Sequence, residues 1–316
     1  FSLWQLFWLF KKEKPTIVHS ITPKAGLLTM LAGKLAGVPI RIHTFTGLIF
    51  PTRTGALKKL LIKIDQLLCW AATNIYPEGN GVKNDLINYQ ITSKPLKILA
   101  NGNVNGIDLD FFSNKNISIE EKTHLKLKLG ISEIDFVFLF VGRLVTDKGV
   151  NELVEAFSKL NMQNSKLLLV GPLEPALDPL QSNTLNQIDN NSNIISVGFQ
   201  KDVRVYFGIS NCLVFPSYRE GFPNVVIQAG AMELPSIVSN INGCNEIIIE
   251  GENGTIIPIK NNDAILKAMK KMIHDKDFHK KLAQNARPMI KSRYEQSVVW
   301  NALLEEYNHL ISQLKK

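Results

Sequence analysis

Cations placed just after a glycine at the end of an apolar run suit the charge of a diphosphate. One such stretch is Val141-Gly142-Arg143-Leu144, followed by Asp147-Lys148-Gly149. Gly142 allows a close turn at the end of a strand, and Arg143 and Lys148 bring fixed positive charge to the junction with the next helix. Such cations, with backbone N–H groups, can meet charge that develops on a departing nucleotide. The plain alternative is two ordinary cations at a strand–helix junction. A second stretch runs Pro216-Ser217-Tyr218-Arg219-Glu220-Gly221-Phe222-Pro223-Asn224. It leads from a strand into a helix with proline at or near its first position, where the missing N–H costs nothing. The amides of that first turn, reached across Gly221, suit an anion or a hydroxyl. Glu220 suits sugar hydroxyls; as a simple helix N-terminal charge it would contribute about 0.3–1 kcal/mol. Gln228 follows about one turn into the helix. In the third stretch, Val197-Gly198-Phe199-Gln200, Gly198 permits backbone approach and the following amides suit a nucleobase edge.

Parallel βαβ units must position these residues. Short apolar runs alternate with helical patterns along the whole chain. In the C-terminal half the runs at 136–141, 166–170, 193–197, 212–215, 236–239 and 255–257 predict six strands. Helices are predicted at about 149–160, 176–189, 201–209, 224–233 and 262–274. The N-terminal half predicts strands near 16–20, 39–44, 74–77 and 96–99, with helices near 2–13, 24–37, 55–72 and 80–89. It reads as a sheet missing its beginning, and the start at Phe1 without methionine suggests a removed N-terminus. The expected organisation is a lobe over 1–112, a linker over 113–132, a lobe over 133–294 and a terminal helix over 295–316. Open α/β sheets bind ligands at the carboxyl ends of their strands, so two such lobes predict a cleft between them.

Composition narrows the classes. The chain is 45% hydrophobic and 20% charged, as in ordinary globular proteins. Cys69, Cys212 and Cys244 lie far apart with no CxxC, against a zinc site or a disulfide framework and in favour of a reducing cytoplasm. The apolar stretch at 1–10 is too short to span a bilayer and has no signal-peptide flanks. Residues 1–100 hold 13 Lys or Arg against four acids, while 101–316 hold 23 against 24. The basic half predicts an anionic neighbour, whether lipid headgroups or a diphosphate, with solvated lysines as the bland alternative. Nucleic acid is disfavoured, because no aromatic-interleaved basic groove or reading motif is present.

These elements, in this order and spacing, resemble the C-terminal lobe of the retaining GT-B glycosyltransferases of glycosyltransferase family 4, which includes many bacterial capsule and lipopolysaccharide enzymes. In the N-terminal half, Ile17-Val18-His19-Ser20 with Thr22-Pro23-Lys24-Ala25-Gly26, and then Gly37-Val38-Pro39-Ile40-Arg41-Ile42-His43-Thr44, resemble the subgroup that builds surface polysaccharide. The resemblance implies an α/β GT-B fold. It implies a nucleotide-sugar donor, UDP-linked, and a polyprenyl-diphosphate-linked saccharide acceptor at an anionic membrane surface, with retention and with neither metal nor cofactor. Gly142, Arg143 and Lys148 would then grip the donor diphosphate, and Glu220 would contact the donor sugar. The backbone of Gly221, Phe222, Pro223, Asn224 and Val225 would line phosphate and sugar. Gly198 and Phe199 would hold the base. Lys24, Thr46 and Gly47 would face the acceptor.

Three departures qualify that implication. Gln228 stands where the family usually places a second acid that contacts the ribose; an amide accepts with one atom and donates with the other, which predicts weaker donor binding. Thr46 stands where many relatives have histidine, and nearby His43 reads as a packed residue. The Gly-rich turn that opens the family's first lobe does not precede His19. Two alternatives follow. A sugar-nucleotide epimerase also uses this architecture but needs paired acid–base groups, and only Glu220 is clearly placed for that. A degenerate donor-binding subunit would show no turnover.

Overall fold

The computed structural model describes residues 2–176 and 178–314. It divides into two compact units, one comprising the described residues up to Gly106 and from Gln296 onward, the other Ile107–Glu295. In the first unit α1 (Ser2–Glu13) precedes β1 (Ile17–Ser20), α2 (Pro23–Ala36), β2 (Ile40–Phe45), α3 (Gly55–Ala71), β3 (Asn74–Pro77) and α4 (Asn80–Asn88). The strands form a parallel sheet in the order β1-β2-β3, in the register Ile17↔Ile40 and Ile42↔Asn74. Pro23 opens α2, where its fixed φ is already helical. One face of α2 packs along α1 and another along α3.

The run at 96–99 is not a strand and contributes only the single bridge Ile75↔Leu96. Pro95 has no N–H for a ladder. The Lys94 ammonium donates to the carbonyls of Cys69, at 2.6 Å, and Ala72, which ties the chain to the end of α3. The terminal helix, Gln296–Leu314, is an integral part of the first unit. Its Leu310, Tyr307 and Ile311 pack on Ile40, Ile42 and Tyr76, and buried Glu306 accepts from Tyr76 Oη at 2.6 Å and pairs with Lys97.

The second unit corrects the expected linker. Residues 119–129 form α5 (Ile119–Leu129), opened by a capping box between Ser118 and Glu121 and packed through Leu125 into the core. Its polar composition had masked the cap. There follow β4 (Phe136–Val141), α6 (Val150–Leu160), β5 (Ser165–Val170), α7 (Ser182–Asn190), β6 (Ile194–Ser196), α8 (Arg204–Gly208), β7 (Cys212–Phe215), α9 (Asn224–Ala231), β8 (Ser236–Ser239), α10 (Cys244–Ile247), β9 (Gly254–Ile257), α11 (Asn262–His274), α12 (Lys276–Tyr294) and the terminal helix, α13. The helix expected from 176 begins only at Ser182, because Pro179 biases the residue before it away from helix; Leu177 lies outside the described residues, as do Phe1, Lys315 and Lys316. The six strands are parallel in the order β6-β5-β4-β7-β8-β9. Chain order therefore reverses between β4 and β7, and the loops leaving these neighbours run apart. That divergence makes a crevice at the carboxyl end of the sheet. Both units are thus α/β with parallel sheets, as the sequence predicts.

Candidate active site

The loops leaving β4 and β7 are joined where the strand order reverses. Tyr218 N–H donates to the Asp147 carbonyl at 2.9 Å, Arg219 pairs with Asp147 at 3.3 Å, and Tyr218 Oη donates to Glu152 on α6. Gly149, at φ +70°, begins α6 so close to this junction that a Cβ there would lie 2.2 Å from the Pro216 carbonyl oxygen. The two loops therefore present their side chains as one surface.

On that surface the ammonium of Lys148 pairs with the carboxylate of Glu220. Their side chains are 16% and 17% exposed, enough to meet a ligand and too little for water to screen them fully. Ser217, itself buried, donates its hydroxyl to the same Glu220 oxygen at 2.9 Å. A lysine ammonium carries three donors and a carboxylate about four acceptor sites, so this pairing leaves capacity on both partners. The cation suits phosphate oxygens and the carboxylate suits sugar hydroxyls.

Behind Glu220 the segment 221–223 runs into α9. Phe222 and Pro223 are buried, with Pro223 as the N-cap, and α9 has neither a side-chain cap nor an acidic residue in its first turn. Asn224 and Val225 occupy that turn, and Gln228 lies one turn further on, partly exposed. Gly243 backs this segment and was not legible in the sequence. At φ +73° its Cβ would stand 2.5 Å from the Gly221 carbonyl oxygen and 2.7 Å from Phe222 Cα, so neither its backbone nor the space admits a side chain. Gly243→Ala is expected to destabilise the fold by roughly 1–3 kcal/mol. Thermal denaturation checks this; a variant that melts like wild type would show that 221–223 needs no such support.

Arg143 departs from the expectation of a cation held for ligand. Its guanidinium donates to Glu174 at 2.9 Å, on the loop after β5, and that hydrogen bond raises its already high pKa. The position remains at the carboxyl end of the sheet, but nothing along the sequence points to this partner. Gly142 and Gly171 pass back to back, since a Cβ on Gly171 would meet the Gly142 carbonyl oxygen at 1.8 Å. Gly198 follows β6, its carbonyl accepting from Gly171 N–H at 2.9 Å, and Phe199 beside it is 73% exposed. An exposed ring at a strand end offers an apolar face for a flat base.

In the first unit Lys24, at the start of α2, and Gly47, after β2, line one cavity, and Thr46 adjoins Gly47. His43 is fully buried. It is hydrogen-bonded to Ser20 Oγ at 2.8 Å and packed so closely on Gly26 that a Cβ there would lie 2.5 Å from the ring. Burial lowers its pKa to about 4. It is a packed residue, as the sequence suggested. His19, lowered to about 4 by burial, is bonded to Thr44 at 2.8 Å and Tyr307 at 2.6 Å, and lines a separate cavity of about 240 Å³ with Glu78 and Asn103. Among the described residues no cluster of three His, Cys, Asp or Glu could hold a metal ion.

Comparison with known proteins identifies the architecture. The family model described as glycosyl transferases group 1 matches residues 121–289, which include every residue of the Lys148–Glu220 surface. The chain belongs to this family. A capsular polysaccharide biosynthesis glycosyltransferase, CapM of Staphylococcus aureus, is 32% identical over 315 residues, covering 99% of this chain and 81% of the relative. An Escherichia coli UDP-Gal:alpha-D-GlcNAc-diphosphoundecaprenol alpha-1,3-galactosyltransferase is 30% identical over 282 residues, covering 87% of this chain and 70% of its own length. Among solved structures, HepE of Anabaena in complex with UDP superposes with a TM-score of 0.84 at 16% identity, covering 97% of this chain and 82% of that one. As a group 1 glycosyltransferase the chain carries its matched motifs on the unit that holds the Lys148–Glu220 pair.

Proposed function

We propose that this group 1 glycosyltransferase is a retaining, metal-independent family 4 enzyme. It moves a sugar from a UDP-linked donor to a polyprenyl-diphosphate-linked saccharide during surface-polysaccharide assembly. The observation that carries the reading is the half-buried Lys148–Glu220 pair at the point where the strand order reverses. Lys148, with Arg143 nearby, meets the charge that grows on the leaving diphosphate. Glu220 orients the sugar, the first turn of α9 receives its oxygens, and Phe199 lies under the base. The names of the Staphylococcus aureus and Escherichia coli relatives support the pathway and the lipid-linked acceptor. UDP-galactose carries its sugar as the α-anomer, so the α-1,3 product named for the latter is formed with retention.

The first unit supports a place on the membrane surface. No helix among the described residues is long and apolar enough to cross a membrane. Trp4 and Trp8 of α1 and Trp70 of α3 are 62%, 66% and 59% exposed, and the last turn of α1 carries Lys11 and Lys12. Exposed indoles beside lysines suit the boundary of an anionic leaflet.

The test incubates the protein with UDP-galactose, UDP-glucose or UDP-N-acetylglucosamine and N-acetylglucosaminyl-diphosphoundecaprenol, with mass spectrometry of the lipid product and NMR of its anomeric proton. One donor should give an α-linked product with EDTA present. A β-linked product would remove retention, an epimerised donor without acceptor would favour the epimerase, and no turnover with any donor would favour a binding subunit. Gln228→Glu is expected to tighten UDP binding by about three- to tenfold, a carboxylate accepting from both ribose hydroxyls. Unchanged or weaker binding by calorimetry would place Gln228 away from the ribose.

A further inference from the structure

Arg143 and Glu174 meet because the loops that follow β4 and β5 are laced together. Leu144 N–H donates to the Pro172 carbonyl at 2.8 Å, and Asp147 N–H to Asp178 Oδ2 at 2.6 Å. Thr146 Oγ1 donates to the Pro179 carbonyl at 2.6 Å, and Gln181 N–H to Asn151 Oδ1, in the first turn of α6, at 3.0 Å. The backbone φ is fixed at Pro172 and Pro175, on either side of Glu174. The two loops therefore form one platform at the carboxyl end of the sheet, and that platform sets the pairing of Arg143 with Glu174.

A carboxylate beside a phosphate-binding cation has a cost. Glu174 takes one of the five guanidinium donors, so a phosphate can bond to another edge of Arg143 while the carboxylate stays. The positive form of Arg143 is stabilised by its bond to Glu174 and, more weakly, by the charges of Asp147 and Glu220, which places it beside the residue that suits the donor sugar. A phosphate held there lies within one guanidinium width of Glu174, and like charges repel. The side chains of Arg143 and Glu174 are 44% and 28% exposed, so water weakens that repulsion without removing it. Two nucleotides visit a transferase, and they differ in charge. In the sugar donor each phosphate carries one negative charge. Transfer breaks the bond between the sugar and the phosphate oxygen and leaves the electron pair on the phosphate, whose freed terminus, with a second ionisation near about pH 6, carries almost two charges at neutral pH.

We propose that Glu174 discriminates between donor and product: held against Arg143, its carboxylate lowers affinity for the released nucleoside diphosphate more than for the nucleotide sugar, and so favours product release over product inhibition. The assignment rests on the nucleotide-sugar donor proposed above and deepens it. Arg143 holds the diphosphate, and Glu174 limits how tightly the more highly charged product stays.

The test is calorimetric titration of the wild-type chain and of Glu174→Gln with UDP, GDP, dTDP and ADP, and with each of these carrying a methyl ester on its terminal phosphate. The ester has the charge of a donor without the sugar. Glutamine keeps the size of the side chain and an oxygen that accepts from Arg143, and it loses the charge. For the nucleotide that binds, Glu174→Gln should tighten the free diphosphate about tenfold and its ester about threefold, as expected for two charges against one at a few ångströms in a partly screened site. Equal tightening of both ligands would mean that the side chain only blocks space, unchanged affinity that the pair is structural, and weaker binding that Glu174 supports Arg143 for the ligand; each would overturn the assignment. That pattern seen with GDP, dTDP or ADP in place of UDP would remove the uridine donor and leave the assignment standing, whereas UDP binding without the pattern would do the reverse. A chain that binds none of these ligands would remove both.

Discussion

Lys148→Met is expected to lower kcat/KM for the nucleotide sugar by about 10²–10³-fold, the range found when one preorganised charge-stabilising donor is removed. Methionine keeps most of the lysine stem and loses the cation, so the change falls on electrostatics more than on packing. Its ammonium sits beside Glu220 and over the Phe215 ring, in a half-buried setting where charge is worth more than in bulk water. Loss of the cation also strands the charge of Glu220, with Ser217 still donating to it, and breaking such a pair is itself destabilising. The double variant Lys148→Met/Glu220→Gln separates the two effects. It removes the stranded charge and should recover most of any lost thermal stability, yet it should remain at least as inactive as Lys148→Met. Activity returning along with stability would make the pair structural.

The second large effect is acid lability of the first unit. Burial lowers the pKa of both His19 and His43 to about 4, against about 6.5 in an unfolded chain. Each imidazole is therefore neutral in the folded state at pH values where the unfolded chain takes up a proton. The stabilisation this provides is present above pH 6.5 and is lost as pH falls towards 4. By pH 4.5 each should have cost about 2 kcal/mol, somewhat less for the partly exposed His19. Asp65 works in the opposite sense: its carboxyl, raised to about 6, destabilises the fold at neutral pH and relieves that strain as pH falls from 6 towards 4. A net profile would mix the two, so the measurement is urea denaturation of wild type and His43→Gln at pH 7.5 and pH 4.5. Wild type should lose about 2 kcal/mol more than the variant over that interval. Equal losses would show that His43 does not hold a neutral ring in the folded protein.

The strands of the second unit were legible because buried parallel strands are continuous apolar runs: β4 is Phe-Val-Phe-Leu-Phe-Val and β5 ends in Leu-Leu-Leu-Val. Glu220 and Lys148 were legible as residues at strand ends, but their partnership was not. They are 72 positions apart in sequence, and only the adjacency of β4 and β7 brings them together. Arg143 and Glu174 met through the same kind of non-local neighbourhood, by way of β4 and β5. Gly243 escaped notice because a close approach between backbones leaves no pattern along one of them. Two misreadings were local. The capping box of α5 was hidden in a polar stretch that resembled a linker, and 96–99 had the apolar content of a strand without a free ladder edge behind Pro95. The terminal helix read correctly as amphipathic, but its place in the first unit depends on Tyr76 and Glu306, which lie 230 residues apart.

The most direct measurement is calorimetric titration of UDP into the wild-type chain and into Lys148→Met, with inorganic diphosphate as competitor. UDP should bind wild type at one site per chain, diphosphate should displace it, and the variant should bind about tenfold or more weakly, the loss of a charge-assisted contact. Equal affinity of both proteins for UDP, or binding that diphosphate does not disturb, would contradict the assignment of the Lys148–Glu220 surface as the donor site.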